Sequence, residues 1–188
     1  ICGPTDDRVL SNDPRSGRLV PVGCTAWLIN DANREFLTAG HCGPTTGDIV
    51  EFNCPLSTSG GTIVHPAPQH QYPVHVPSIQ TNGGLGVGND YSYFGCSPNA
   101  TTGLTAYQAQ GATYVLAPNA APTAHGQVLR ITGYGVTSLP ISATWSQAQK
   151  THAAPITAVA GTARKESIYT RARFSDHAPL TIDYDFSL

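Results

Sequence analysis

The sequence predicts an all-β protein, and three observations carry that expectation. Nineteen glycines and 15 prolines punctuate the chain and cut it into short runs joined by tight turns. Those runs are rich in β-branched and aromatic residues, as pleated strands prefer. No stretch has the period of a long amphipathic helix or a heptad seam. The 188 residues suffice for one large domain or two small ones. The strand spacing is that of two β-barrels packed on each other with a cleft between them. Residues 1–110 would form an N-terminal arm and a first barrel, and residues 111–188 a linker and an incomplete second barrel.

Taken in order, Ile1 to Pro21 is polar and turn-forming, with Asp6-Asp7-Arg8 and Asn12-Asp13-Pro14-Arg15. It reads as an arm wrapped around a body. Strands are expected at Thr25–Ile29, Phe36–Thr38, Asp48–Asn53 and Gly61–His65. The proline-rich segment Pro66 to Pro77 reads as a surface loop or extended edge. Gly83-Gly84-Leu85-Gly86-Val87-Gly88 is a flexible lead into a strand at Asp90–Phe94; without a lysine or a following helix it is not a phosphate loop. Pro98 to Pro122 shifts to Ala, Thr, Asn and Gly and bridges two halves, with strand character around Ala112–Leu116. A second strand set starts at Gln127–Thr132, ends in Gly133-Tyr134-Gly135, and continues at Ser167–Phe174 and Leu180–Tyr184.

Charge excludes some functions. The net charge is −2 and charged residues make up 12% of the chain, which gives no footprint for nucleic acid. No run of about 18 apolar residues could cross a membrane as a helix. The five cysteines, Cys2, Cys24, Cys42, Cys54 and Cys96, include no C-x-x-C pair. Scattered cysteines in a Gly/Thr/Ser-rich β protein fit a secreted, extracellular compartment. His65, His70 and His75 share neither a strand face nor a helix face, so surface histidines are expected rather than a metal site. Asn99-Ala100-Thr101 matches the N-glycosylation acceptor pattern.

The chemistry gathers at Glu35-Phe36-Leu37-Thr38-Ala39-Gly40-His41-Cys42. A strand there runs into a small-residue turn that sets a histidine on a stiff support, as a general base requires. Asn89-Asp90-Tyr91-Ser92-Tyr93-Phe94 supplies a carboxylate at the start of an apolar strand. Asp90 could instead be a turn residue easing the loop into that strand, and His41 a structural histidine. A buried carboxylate is costly without a hydrogen-bonding partner such as an imidazole N–H.

These segments, with Gly133-Tyr134-Gly135, resemble the chymotrypsin-like serine proteases, most nearly their secreted bacterial branch. The resemblance implies two packed six-stranded Greek-key barrels and a serine endopeptidase that needs no cofactor and no metal. It implies His41 as general base, Asp90 as the group that orients it, and a Cys24–Cys42 disulfide. Cys54–Cys96 is a weaker pairing, and Cys2 would pair outside the chain. Ile1 could be an activating terminus, but Cys2-Gly3-Pro4 departs from the family's I-V-G-G, and an ordinary processing site is the plainer reading.

The family's nucleophile is not found. Its serine lies in G-[DN]-S-G, whose backbone N–H groups hold the oxyanion, and no such tetrapeptide occurs in the sequence. Ser175 and Ser187 lack the preceding glycine. Three accounts remain: a processed protease with the serine on another segment, a truncated chain, or an inactive relative used for binding or regulation. A barrel without its closing strands would expose edges and interior, which favours the first. The expected partners are a peptide or protein substrate and a second polypeptide segment of the same precursor.

Overall fold

The computed structural model describes residues 8–85, 89–117, 128–137 and 142–155. Nine strands lie within them: β1 (Val9–Leu10), β2 (Ser16–Val20), β3 (Cys24–Leu28), β4 (Phe36–Thr38), β5 (Ile49–Glu51), β6 (Gln71–Thr81), β7 (Ser92–Cys96), β8 (Val128–Gly133) and β9 (Lys150–Pro155). One short α-helix, α1 (Ala106–Gln110), and three single 3-10 turns accompany them. The α-helix is capped at both ends, by a Thr105–Gln108 box and by Gly111 in the left-handed conformation.

Six strands close into one barrel in the order β2-β3-β4-β7-β6-β5, every neighbouring pair antiparallel. Alternation along β3 sends Cys24, Ala26 and Leu28 into the interior, where they meet Leu19, Val50, Phe52, Tyr72 and Phe94. Phe36 stacks on Phe94 with ring centroids 5.6 Å apart, and Phe52 meets Tyr72 edge-on at 5.8 Å. Closure removes free sheet edges from this half. The remaining described strands form a three-stranded sheet, β1-β9-β8. The fold class is therefore mostly β, with one closed six-stranded barrel.

Polar groups fasten this sheet to the barrel. Tyr134, in the Gly-Tyr-Gly turn after β8, is buried; its hydroxyl donates to Ser16 O and its backbone N–H to Thr25 Oγ1. Arg18 of β2 is fully buried. It donates through Nε and Nη2 to Glu51 Oε2 at 3.0 and 2.7 Å, and through Nη1 to Gln147 O at 3.0 Å. Glu51 Oε1 lies 2.6 Å from His65 Nδ1. The buried Lys150 ammonium donates to the carbonyls of Gly135 and Ala148.

Four expectations need correction. The segment 8–21 is more than an arm: β2 is a fully buried barrel strand, its polar residues hidden because Arg18 meets Glu51 and Ser16 meets Tyr114. Pro66 to Pro77 is not an edge, since β6 begins inside it and pairs with both β5 and β7. Pro73 is tolerated because the ladder uses its carbonyl, which accepts from Ser97; Pro77 falls in the register shift between His75 and Gln80. Gly61–His65 makes no ladder, because Thr58 closes a turn with Gly61 and Thr62. Around Ala112–Leu116 only Tyr114 bridges, to Ile29. The strands expected at Ser167–Phe174 and Leu180–Tyr184 lie outside the described residues, as do Ser175 and Ser187.

Asn99 bears on modification. It is 2% exposed; its Nδ2 donates to Pro68 O and Gln71 O, and its Oδ1 accepts from the N–H groups of Thr101 and Thr102. The acceptor nitrogen of the Asn99-Ala100-Thr101 pattern is thus consumed in pinning a loop to β6. Asn99→Ala is expected to destabilise the fold by about 3 kcal/mol, a fall in Tm of roughly 10 °C by thermal denaturation.

Candidate active site

The strand β4 carries the chain to the site. Thr38 closes it with a hydroxyl bond to Thr25 O at 2.8 Å. The chain then tightens into a single 3-10 turn, Gly40–Cys42, ended by Gly43 in the left-handed conformation. Cys42 is buried and bonded to Cys24 at the start of β3. The disulfide ties the histidine's turn to the neighbouring strand. Cys54 and Cys96 are free thiols, so the weaker pairing is not made. Burial pushes the Cys54 thiol up to about 12 and also raises Cys96, which keeps both protonated and unreactive.

Asp90 reaches the same place from the other side. Thr38 of β4 lies opposite Ser92 of β7, so the residues after Thr38 and those before Ser92 leave the barrel at one end. There His41 Nδ1 lies 2.6 Å from Asp90 Oδ2, and the His41 backbone N–H donates to Asp90 Oδ1 at 2.8 Å. One carboxylate thus grips both the ring and the backbone of one residue. The couple sits at the surface, the His41 side chain 43% and the Asp90 side chain 27% exposed. A ring nitrogen on a carboxylate is held as the N–H tautomer at Nδ1, so any proton taken from a substrate or nucleophile would enter at Nε2.

Burial opposes ionisation of Asp90, but the bonds from the His41 ring and backbone, and then the charge of His41, outweigh it and hold the carboxyl below its ordinary value. A depressed folded-state value stabilises the fold above about pH 4, where the unfolded carboxyl also ionises. That contribution disappears as pH falls through the folded value. Urea unfolding between pH 2 and 6 should therefore show a steeper acid limb for the native chain than for Asp90→Asn.

Solved structures with similar folds were found. The thermostable serine protease AL20 from an extremophilic microorganism superposes with a TM-score of 0.51 and 17% identity over 76% of this chain and 66% of that one. The protease Anisep from Arthrobacter nicotinovorans gives 0.52 and 18% over 79% and 67%. A variant of human heparin binding protein gives 0.52 and 15% over 82% and 66%. The fold is chymotrypsin-like. At such identity the likeness is one of fold, and the chain spans about two thirds of the length of these structures. No protein-family model matches the sequence, and no curated protein matches it.

Within this chymotrypsin-like barrel, two site features escape the sequence. The glycines at 83 and 84 are more than a flexible lead. Gly84, at φ +74°, packs on the histidine so closely that a Cβ there would lie 2.9 Å from both His41 Cβ and His41 N. On the other side a Cβ on Gly40 would lie 2.7 Å from Asn82 Oδ1 and from Gly84 N. Asn82 is the second feature, its amide tying Gly84 to Asn89 and Tyr91. An Asn-Gly-Gly run is itself the signal, since it marks a left-handed turn with a side chain able to bond its own loop. His65 and His70 have separate surroundings: His65 lies on Glu51, and His70 Nδ1 lies 3.1 Å from Asn53 Nδ2.

Proposed function

We propose that this chain carries the base and its orienting acid of a secreted, chymotrypsin-like serine endopeptidase of the bacterial type. The observation that supports the reading is the double grip of Asp90 on His41, through Nδ1 at 2.6 Å and the backbone N–H at 2.8 Å. Residues 1–110 supply the arm and first barrel, and residues 111–188 a linker and part of a second barrel. The nucleophilic serine and the oxyanion donors come from a segment beyond these 188 residues, because the sequence holds no G-[DN]-S-G. That segment completes the second barrel.

The chemistry follows from the tautomer. As the serine Oγ attacks the peptide carbonyl, His41 Nε2 takes the hydroxyl proton while Asp90 stabilises the imidazolium. His41 then returns the proton to the leaving amine, and the C–N bond breaks to leave an acyl-enzyme. Water, deprotonated by the same nitrogen, hydrolyses the ester and frees the serine. No metal or organic cofactor enters these steps.

The competing reading is an inactive relative that binds or regulates. The absent serine motif favours it, and one protein with a similar fold carries the name heparin binding protein. Labelling with a serine-directed phosphonate, read by intact mass, separates the two. A second fragment that accompanies the chain and takes the label supports the protease. A folded particle consisting of the single chain, with no label, assigns the scaffold to binding.

A further inference from the structure

We propose that Asn82 is the positioning residue of the His41–Asp90 couple. The inference rests on the reading of that couple as base and orienting acid, and it concerns what holds the two in register. Asp90 lies before the first residue of β7 and so has no ladder of its own. His41 sits on a one-turn helix. Neither element fixes a side-chain position to the few tenths of an ångström that proton transfer requires.

The side-chain amide of Asn82 supplies the missing constraint. Its Oδ1 accepts from the Tyr91 N–H at 3.0 Å and from the Gly84 N–H at 3.3 Å, while its Nδ2 donates to Asn89 Oδ1 at 2.6 Å. Its backbone N–H also donates to Tyr91 O at 3.3 Å. Asn82 therefore holds the residues on both sides of Asp90. Through Gly84 it also holds the backbone that abuts His41 Cβ and N. The amide can sit only one way round, because both partners of Oδ1 are backbone donors and an NH2 group in its place would face two N–H groups. Thr81 reinforces the clasp: its hydroxyl donates to Tyr91 O and accepts from Gly83 N and Ser92 Oγ.

Removing the amide takes the side-chain hold from both flanks of Asp90, leaving only the bonds of the Asn82 backbone and Thr81 to Tyr91 O and of Leu85 to Asn89 O. It leaves the barrel interior untouched, since no Asn82 atom belongs to the buried core. Asp90 and His41 then lose register without losing the fold. This makes Asn82 a residue that acts through others, and the test must read the couple rather than stability.

The probe is the His41 Nδ1 proton, followed by proton NMR on the folded chain with Asp90→Asn as the reference for its loss. In the native chain the resonance is expected downfield, protected by the 2.6 Å bond to Asp90. In Asn82→Ala it is expected to disappear into exchange with solvent. Asn99→Ala, which removes a comparable set of bonds far from the couple, is expected to keep it. Survival of the resonance at its native position in Asn82→Ala overturns the proposal, as does equal loss in Asn99→Ala. Should Asn82→Ala not fold, Asn82→Asp decides, because it keeps the acceptor for Tyr91 and Gly84: a retained resonance supports the proposal and a lost one overturns it. In material that takes the phosphonate label, Asn82→Ala is further expected to lower kcat about 10²-fold with KM little changed. An unchanged kcat overturns the proposal. A resonance lost as expected in a chain that never takes the label would retain Asn82 as the couple's positioning residue and reject only the protease reading.

Discussion

Asp90→Asn is expected to slow peptide hydrolysis about 10⁴-fold in material that takes the phosphonate label, with KM much less affected. The size follows from how the carboxylate is used. Its Oδ1 already accepts the His41 backbone N–H at 2.8 Å, a bond that only an oxygen can satisfy. An asparagine must keep its oxygen there, which turns its NH2 group toward Nδ1. The ring then has to accept at Nδ1 and carry its proton on Nε2, the tautomer unable to take a proton from a serine. The geometry would survive and the chemistry would not. Steady-state kinetics on peptide substrate, with the Nδ1 resonance as a check on the tautomer, measures it. A loss of less than tenfold would show that Asp90 has no orienting role.

The second large effect lies away from the site. Arg18→Met is expected to destabilise the fold by about 3–5 kcal/mol, because it leaves the fully buried Glu51 carboxylate without its cation. It also strips donors from Gln147 O and Val64 O. His65 cannot substitute, as its ring is 55% exposed and meets only the other carboxylate oxygen. The change corresponds to a fall in Tm of roughly 10 °C or more. Arg18→Met combined with Glu51→Leu should recover most of the loss, since removing both charges also removes the desolvation they cost. Thermal denaturation of the three variants tests this. A single variant within about 0.5 kcal/mol of the native chain would mean the pair is not buried as described.

Contact between His41 and Asp90 is expected through the family likeness, since the residues alone leave Asp90 open as a turn residue and His41 as a structural histidine. Apolar alternation announces β3, β4 and β7, and the Cys24–Cys42 bridge follows from the family likeness. The barrel's other members are harder to see. In β2 the sequence Ser-Gly-Arg reads as solvent-facing, and the partner that neutralises Arg18 is 33 residues away; only tertiary context makes a buried strand of it. Prolines argue against β6, yet the ladder takes Pro73 through its carbonyl and places Pro77 in a bulge. Asn82 and Gly84 have the composition of a loose loop. Their function appears only when φ +74° and the closeness of His41 are known. Local propensity sees strands whose two faces differ, and it misses those whose polar residues find distant partners.

The register of β4 against β7 has a consequence for when the couple exists. Residues 41 and 90 are separated by 49 positions, yet they are extensions of one antiparallel pair in which Thr38 faces Ser92. Pairing of that ladder carries both groups to the same end of the barrel, where the Asn82 loop meets them. The His41 amide, bonded to Asp90 Oδ1 at 2.8 Å, should then exchange its hydrogen more slowly in the native chain than in Asp90→Ala, so that deuterium uptake at this one position reports how often the couple itself opens.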